Sequence, residues 1–113
     1  MAGVKFRHEG LAVDYTPGAA VSAGDVIVQG DLVGVARLDI PANQLGALAV
    51  SGVFEFPKAT GGSEALAAGT TVYWDAGDDV VTDDDDTGSN ALVGKVVRAA
   101  ADGDATVWVR LSQ

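Results

Sequence analysis

The sequence holds no cysteine and a single histidine. Disulfide frameworks, thiolate metal sites and cysteine nucleophiles are thereby excluded, and a serine or threonine nucleophile would have only one imidazole to activate it. That histidine, His8, stands beside Lys5, Arg7 and Glu9 near the N-terminus, where a weakly tied surface segment is expected. No catalytic residue and no cofactor is assigned. Cations are scarce, seven Lys and Arg against sixteen Asp and Glu, for a formal net charge of −9. Phosphate backbones repel a chain of that sign and bind clustered Lys and Arg instead, so nucleic acid is not an expected partner. Long apolar runs are missing too: none approaches the roughly 20 residues that cross a bilayer. Residues Met1 to His8 lack the apolar segment of a signal peptide. No membrane partner is expected, and the chain is expected to be made and kept in the cytoplasm until it meets its partner.

What the chain has is 113 residues, 48% apolar with few aromatics, and 15 glycines. That length supports one core and not two. Period-2 alternation recurs between turn signals every 8 to 12 residues or so, the pattern of a β-sandwich or β-barrel. The expected fold is therefore all-β, a small single domain over residues 10–113, with residues 1–9 as an N-terminal arm or a first strand. Strands are expected over Val4–His8, Leu11–Tyr15, Asp25–Gln29 and Leu32–Leu38, the last two joined by a tight hairpin at Gly30-Asp31. Ala47–Phe56 reads as one strand with Gly52 as a bulge or close-approach point, stopped by Pro57. Thr71–Asp75, Asp79–Thr82, Leu92–Ala99 and Ala105–Leu111 complete the set. Short helical turns are expected only at Pro41–Leu48 and Ser63–Ala68. Ala20–Val28 parallels Ala65–Tyr73, and Leu32-Val33-Gly34 parallels Leu92-Val93-Gly94, which raises the prospect of an internally duplicated β-unit.

Motifs for chemistry are weak. Ser89-Asn90-Ala91-Leu92-Val93-Gly94-Lys95-Val96 approaches a phosphate-binding loop but has Ser89 in place of the first glycine and Val96 in place of the metal-ligating hydroxyl. Asp75, Asp78, Asp79 and the run Asp83-Asp84-Asp85-Asp86 put seven carboxylates into twelve residues. They lack the regular spacing of a calcium loop, so a solvated turn is the expectation and an ion site at Asp83, Asp84, Asp85 and Asp86 the weaker alternative. Glu55 and Glu64 are no more a catalytic pair than any two acids in an acidic chain. On the last strand Thr106, Trp108 and Arg110 share one face and Val107, Val109 and Leu111 the other. Two readings stand for Trp108: with Arg110 it forms an outward interface pair, or it caps the core.

In this order, Ala20 to Asp25, Leu32 to Ala36, Gly52 to Lys58, Ala67 to Asp75 and Leu92 to Gly94 resemble a family of short phage proteins associated with capsid decoration. The resemblance covers nearly the whole chain. It implies a non-enzymatic cement protein that binds the outer surface of an assembled head, through the major capsid protein, and stiffens it, usually as a homotrimer. It also implies an arm that reaches neighbouring subunits, here with Lys5, Phe6 and Arg7 as capsid-binding residues. The acidic loop is longer than the family pattern requires. The alternative readings are a β-rich binding module of a phage tail or adhesion structure, and an ion-binding domain.

Overall fold

The computed structural model describes residues 3–113; Met1 and Ala2, the first two residues of the expected arm, lie outside them. Over the described residues the chain is all-β, with nine strands: β1 Ala12–Tyr15, β2 Val26–Gln29, β3 Leu32–Ala36, β4 Gly46–Ala49, β5 Gly52–Pro57, β6 Thr71–Asp75, β7 Val80–Thr82, β8 Ala91–Arg98 and β9 Thr106–Leu111. Among the same residues the one helical element is the 3-10 turn Asp86–Gly88. The strands form two antiparallel sheets, ordered β1-β4-β3-β2 and β5-β9-β8-β6-β7. The second sheet curls until Lys58, just past β5, bridges Val81 of β7. That single bridge does not make a continuous ladder, so the sheets are not closed into a barrel and pack as a sandwich.

Three expectations differ from the structure. Val4–His8 alternates but joins no sheet, because alternation supplies a face and not a partner. Ala47–Phe56 is two strands, not one: β4 lies in the first sheet and β5 in the second, and the chain crosses between them where Gly52 has φ +118°. Pro41–Leu48 and Ser63–Ala68 contain no helix. The first is stopped by a turn in which Asn43, at φ 61°, donates its N–H to Pro17 O. In the second, Leu66 exchanges both backbone hydrogen bonds with Ala100.

The main core lies between the sheets. Phe56, Val72, Trp74, Val81, Val93, Val96, Val107, Val109 and Leu111 point inward from the second sheet, and Val33 and Val35 of β3 meet them from the first. Each such side chain fully withdrawn from water contributes on the order of 1.5–3 kcal/mol before entropy is counted. Phe56 sits edge-on to Phe54 at 6.5 Å and tilted against Trp74 at 6.4 Å. A smaller cluster of Val21, Ala36, Ile40 and Leu48 fills the other face of the first sheet.

The two sheets, of four and five strands, have a strand order in common. In the first sheet β1, β4, β3 and β2 are neighbours in that order; in the second, β5, β9, β8 and β6 are. Val21 exchanges both backbone hydrogen bonds with Ile40, as Leu66 does with Ala100. Gly24 donates to Ala36 O as Gly69 does to Val96 O, and Ala36 and Val96 return the bond to Asp25 O and Thr70 O. Gly24 and Gly69 have nearly the same φ, +93° and +90°. The second half differs by β7 and the acidic loop.

Candidate functional site

The outer face of the second sheet collects residues that sequence alternation only partly separates. On β9, Val107, Val109 and Leu111 are buried, which turns Thr106, Trp108 and Arg110 outward. Trp108 is 43% exposed, so it does not cap the core. Register then brings neighbours beside it: Glu55 of β5 lies opposite Trp108, and Lys95 of β8 opposite Arg110. Strict alternation from Lys95 would send Arg98 inward. A bulge between Val96 and Arg98 adds one residue to β8 and returns Arg98 to the outer face, opposite Trp108.

These side chains hold one another. Glu55 Oε2 accepts hydrogen bonds from the Trp108 indole N–H and the Thr106 hydroxyl, both at 3.2 Å. The Arg98 guanidinium carbon lies 4.9 Å from the Trp108 ring centroid, within the range of cation–π attraction. Lys95 Nζ donates to the Thr71 hydroxyl at 2.9 Å. Three of the seven cations of a strongly acidic chain thus share one sheet face with a pinned, half-exposed tryptophan. Trp and Arg are the residue types that dominate binding energy at protein interfaces. The arrangement suits adhesion to an acidic surface.

The other residues singled out by sequence lie apart from this face. Lys5, Phe6 and Arg7 are exposed in the N-terminal segment. His8 Nδ1 is 2.6 Å from Glu9 O. Asp83, Asp84, Asp85 and Asp86 are exposed in the β7–β8 connection, which is hydrogen-bonded to itself. Asp84 Oδ1 accepts the Asp86 N–H at 2.8 Å, and Asn90 Nδ2 donates to Asp84 O at 2.9 Å. Asp75 Oδ1 likewise accepts from the N–H groups of Gly77 and Asp78 in the β6–β7 turn. No group of three or more His, Asp or Glu side chains placed to hold a metal ion occurs among the described residues. Of the string Ser89 to Val96, which approaches a phosphate loop in sequence, Ala91 onward lies in strand β8, with Gly94 packed against the β9 backbone.

Alternation is enough to find Trp108 and Arg110. It misses Arg98, Lys95 and Glu55, because their places depend on cross-strand register and on a bulge without a residue signature.

No curated protein and no solved structure matches the chain. A family model does: residues 7–111 fit the model described as phage cement protein. With the match spanning nearly all of the sandwich and both edges of the Trp108 face, the chain belongs to the phage cement protein family.

Proposed function

We propose that the chain is a non-enzymatic decoration protein that binds the major capsid protein on the outer surface of an assembled phage head, as a homotrimer, and stabilises the shell. The observation that carries this reading is the Trp108 face. Trp108, Arg98, Arg110 and Lys95 form a preorganised cationic and aromatic patch on a chain of net charge −9, and family membership supplies the setting. A protein repeated over a lattice needs only modest contacts per copy, because attachment at several points raises the effective affinity. We also read the fold as two copies of one four-stranded unit, the second enlarged by β7 and the acidic loop. The common strand order and the matched hydrogen bonds support that reading.

The test is co-sedimentation of Trp108→Ala and Arg110→Glu proteins with undecorated heads. A hot-spot truncation costs about 2 kcal/mol or more, roughly 30-fold in affinity per copy. Both variants are expected to keep the parent circular dichroism and to leave heads bare and heat-sensitive. Normal occupancy by both would remove this face from the attachment.

A further inference from the structure

Four strands end the two sheets, β1 and β2 in the first and β5 and β7 in the second. Of these, β5 borders the Trp108 face, through its pairing with β9. Its register shows which backbone groups it leaves open. Lys58 donates its N–H to Ala105 O at 2.9 Å, and these two residues continue the ladder in which Pro57 lies opposite Thr106. Hydrogen-bonded and non-bonded pairs alternate in an antiparallel ladder. Gly52, Phe54 and Phe56 therefore turn N–H and C=O toward β9, and Val53 and Glu55 turn theirs to the other side. Among the described residues no strand pairs with Val53 or Glu55 on that side. The nearest approach is the bridge from Lys58 to Val81 of β7. It goes no further back along β5, because β7 begins at Val80 and Asp79 before it is turned at φ 55°. Val53 is 55% exposed, and Glu55 is exposed as well. Pro57, which has no N–H to offer, ends the open stretch. An edge of unpaired N–H and C=O groups is a template for one more strand.

We infer that an extended segment of the major capsid protein adds to the second sheet as a strand beside β5, exchanging backbone hydrogen bonds with Val53 and Glu55. The inference rests on the capsid-binding reading above and names the form of the partner. Register ties this edge to the Trp108 face. Val53, Arg110 and Lys95 lie side by side across β5, β9 and β8, and so do Glu55, Trp108 and Arg98. A strand beside β5 adds one residue to each row, so the face and the edge form one continuous surface. The rows also state the chemistry of the segment. The residue beside Val53 is apolar. The residue beside Glu55, two positions along, is Lys or Arg, since opposite charges attract across neighbouring strands. Glu55 is free to receive it: Oε2 takes both Trp108 and Thr106, and among the described residues Oε1 accepts no hydrogen bond. In strand addition the main chain supplies affinity and alternate side chains supply specificity, which fits an edge with two open residues next to a fixed aromatic and cationic patch.

Hydrogen exchange of the parent protein, free and bound to undecorated heads, reads the amides in question and needs no variant. In the free protein Val53 and Glu55 are expected to exchange fast and Phe54 and Phe56 slowly. On heads Val53 and Glu55 are expected to slow about tenfold or more, the scale of one hydrogen bond, while Val28, on the outer strand β2, is unchanged. Val53→Pro removes an N–H aimed at the open side and no bond to β9. With the circular dichroism of the parent it is expected to bind heads about tenfold more weakly. Glu55→Gln keeps an acceptor for Trp108 and Thr106 and removes the charge; it is expected to bind several-fold more weakly, with a smaller dependence on salt. Val53 and Glu55 amides that exchange as fast on heads as in solution overturn the inference. So does equal slowing at Val28, which would mean general stabilisation. Fast amides, with binding still lost in Trp108→Ala, overturn the added strand and keep the face. Slow amides, with full occupancy by Trp108→Ala and Arg110→Glu, support the added strand and remove the face.

Discussion

Replacing Gly94 by alanine is expected to be the most damaging single-methyl change in the molecule. Gly94 pairs with Leu111 in the middle of the second sheet. A Cβ built there overlaps the Arg110 carbonyl oxygen and lies 2.9 Å from Ser112 N and 3.0 Å from Arg110 C. All three atoms are backbone, so no rotamer change relieves the overlap. β9 would have to move away from β8, at the expense of the Ser112 N–H to Val93 O bond, 3.0 Å long, and of the packing of Val93 and Leu111, both fully buried. A lost backbone hydrogen bond that leaves buried partners unpaired costs about 1–3 kcal/mol, and overpacking a core adds about 1–3 kcal/mol. The combined loss, about 4 kcal/mol, is a large share of the ~5–15 kcal/mol that holds a domain together. At about 4–8 °C per kcal/mol it lowers Tm by roughly 15–30 °C. Gly34→Ala, at the matching place in the first half, meets the Leu48 Cβ at 2.8 Å, an atom that moves only with the β4 backbone, but its nearest backbone contact is Ala49 O at 3.5 Å; the smaller overlap is expected to cost about 1–3 kcal/mol. Gly103→Ala meets nothing within 4 Å and serves as the control. Urea titration of the three variants gives the ordering. A Gly94→Ala protein within about 1 kcal/mol of the parent would refute the β8–β9 register on which the Trp108 face is built.

Asp102 Oδ1 accepts the N–H groups of Glu64 and Ala65 at 2.8 and 2.7 Å, tying the loop after β5 to the β8–β9 turn. Asp102→Ala is expected to cost about 2 kcal/mol in a urea titration, and Asp102→Asn clearly less since it keeps an acceptor oxygen; equal losses would mean that charge and not hydrogen bonding matters there. Replacing Asp83, Asp84, Asp85 and Asp86 together by asparagine keeps the Asp84 acceptor oxygen and removes four like charges. Tm is expected to rise slightly at low salt and to match the parent at high salt, where the repulsion is screened. A calcium-dependent rise in Tm confined to the parent would establish an ion site in that loop.

Much of this fold was legible in the sequence, because most of its strands have an inward apolar series that a period of two reveals. What stayed hidden was partnership. From Ala47 to Phe56 the apolar positions continue through the crossing between sheets, since β4 and β5 both have a buried side. Leu48 faces the smaller cluster and Phe56 the main core. Nothing in the alternation distinguishes one core from the other, and only Gly52, at φ +118°, marks the place. The helix candidates failed for a related reason. Leu66, in Ser63–Ala68, is a peg that closes the core through its bridge to Ala100, and a short apolar run carries no period that separates a peg from a helical face.

The binding face obeys the same logic in reverse. Trp108 and Arg110 are two residues apart on a strand without irregularity, so one buried neighbour, Val109, fixes both as outward. Arg98 has no such guide. Counting by two from buried Val96 assigns it to the core, yet Val97 and Arg98 are both exposed. Only the pairing across to β9 accounts for this: Val96 lies opposite Val109 and Arg98 opposite Trp108, so two steps along β8 match a single step along β9. An extra residue of that kind turns every later side chain of its strand to the other face. The cation over the indole is therefore placed by the spacing of two strands taken together, and neither strand's own sequence carries that information.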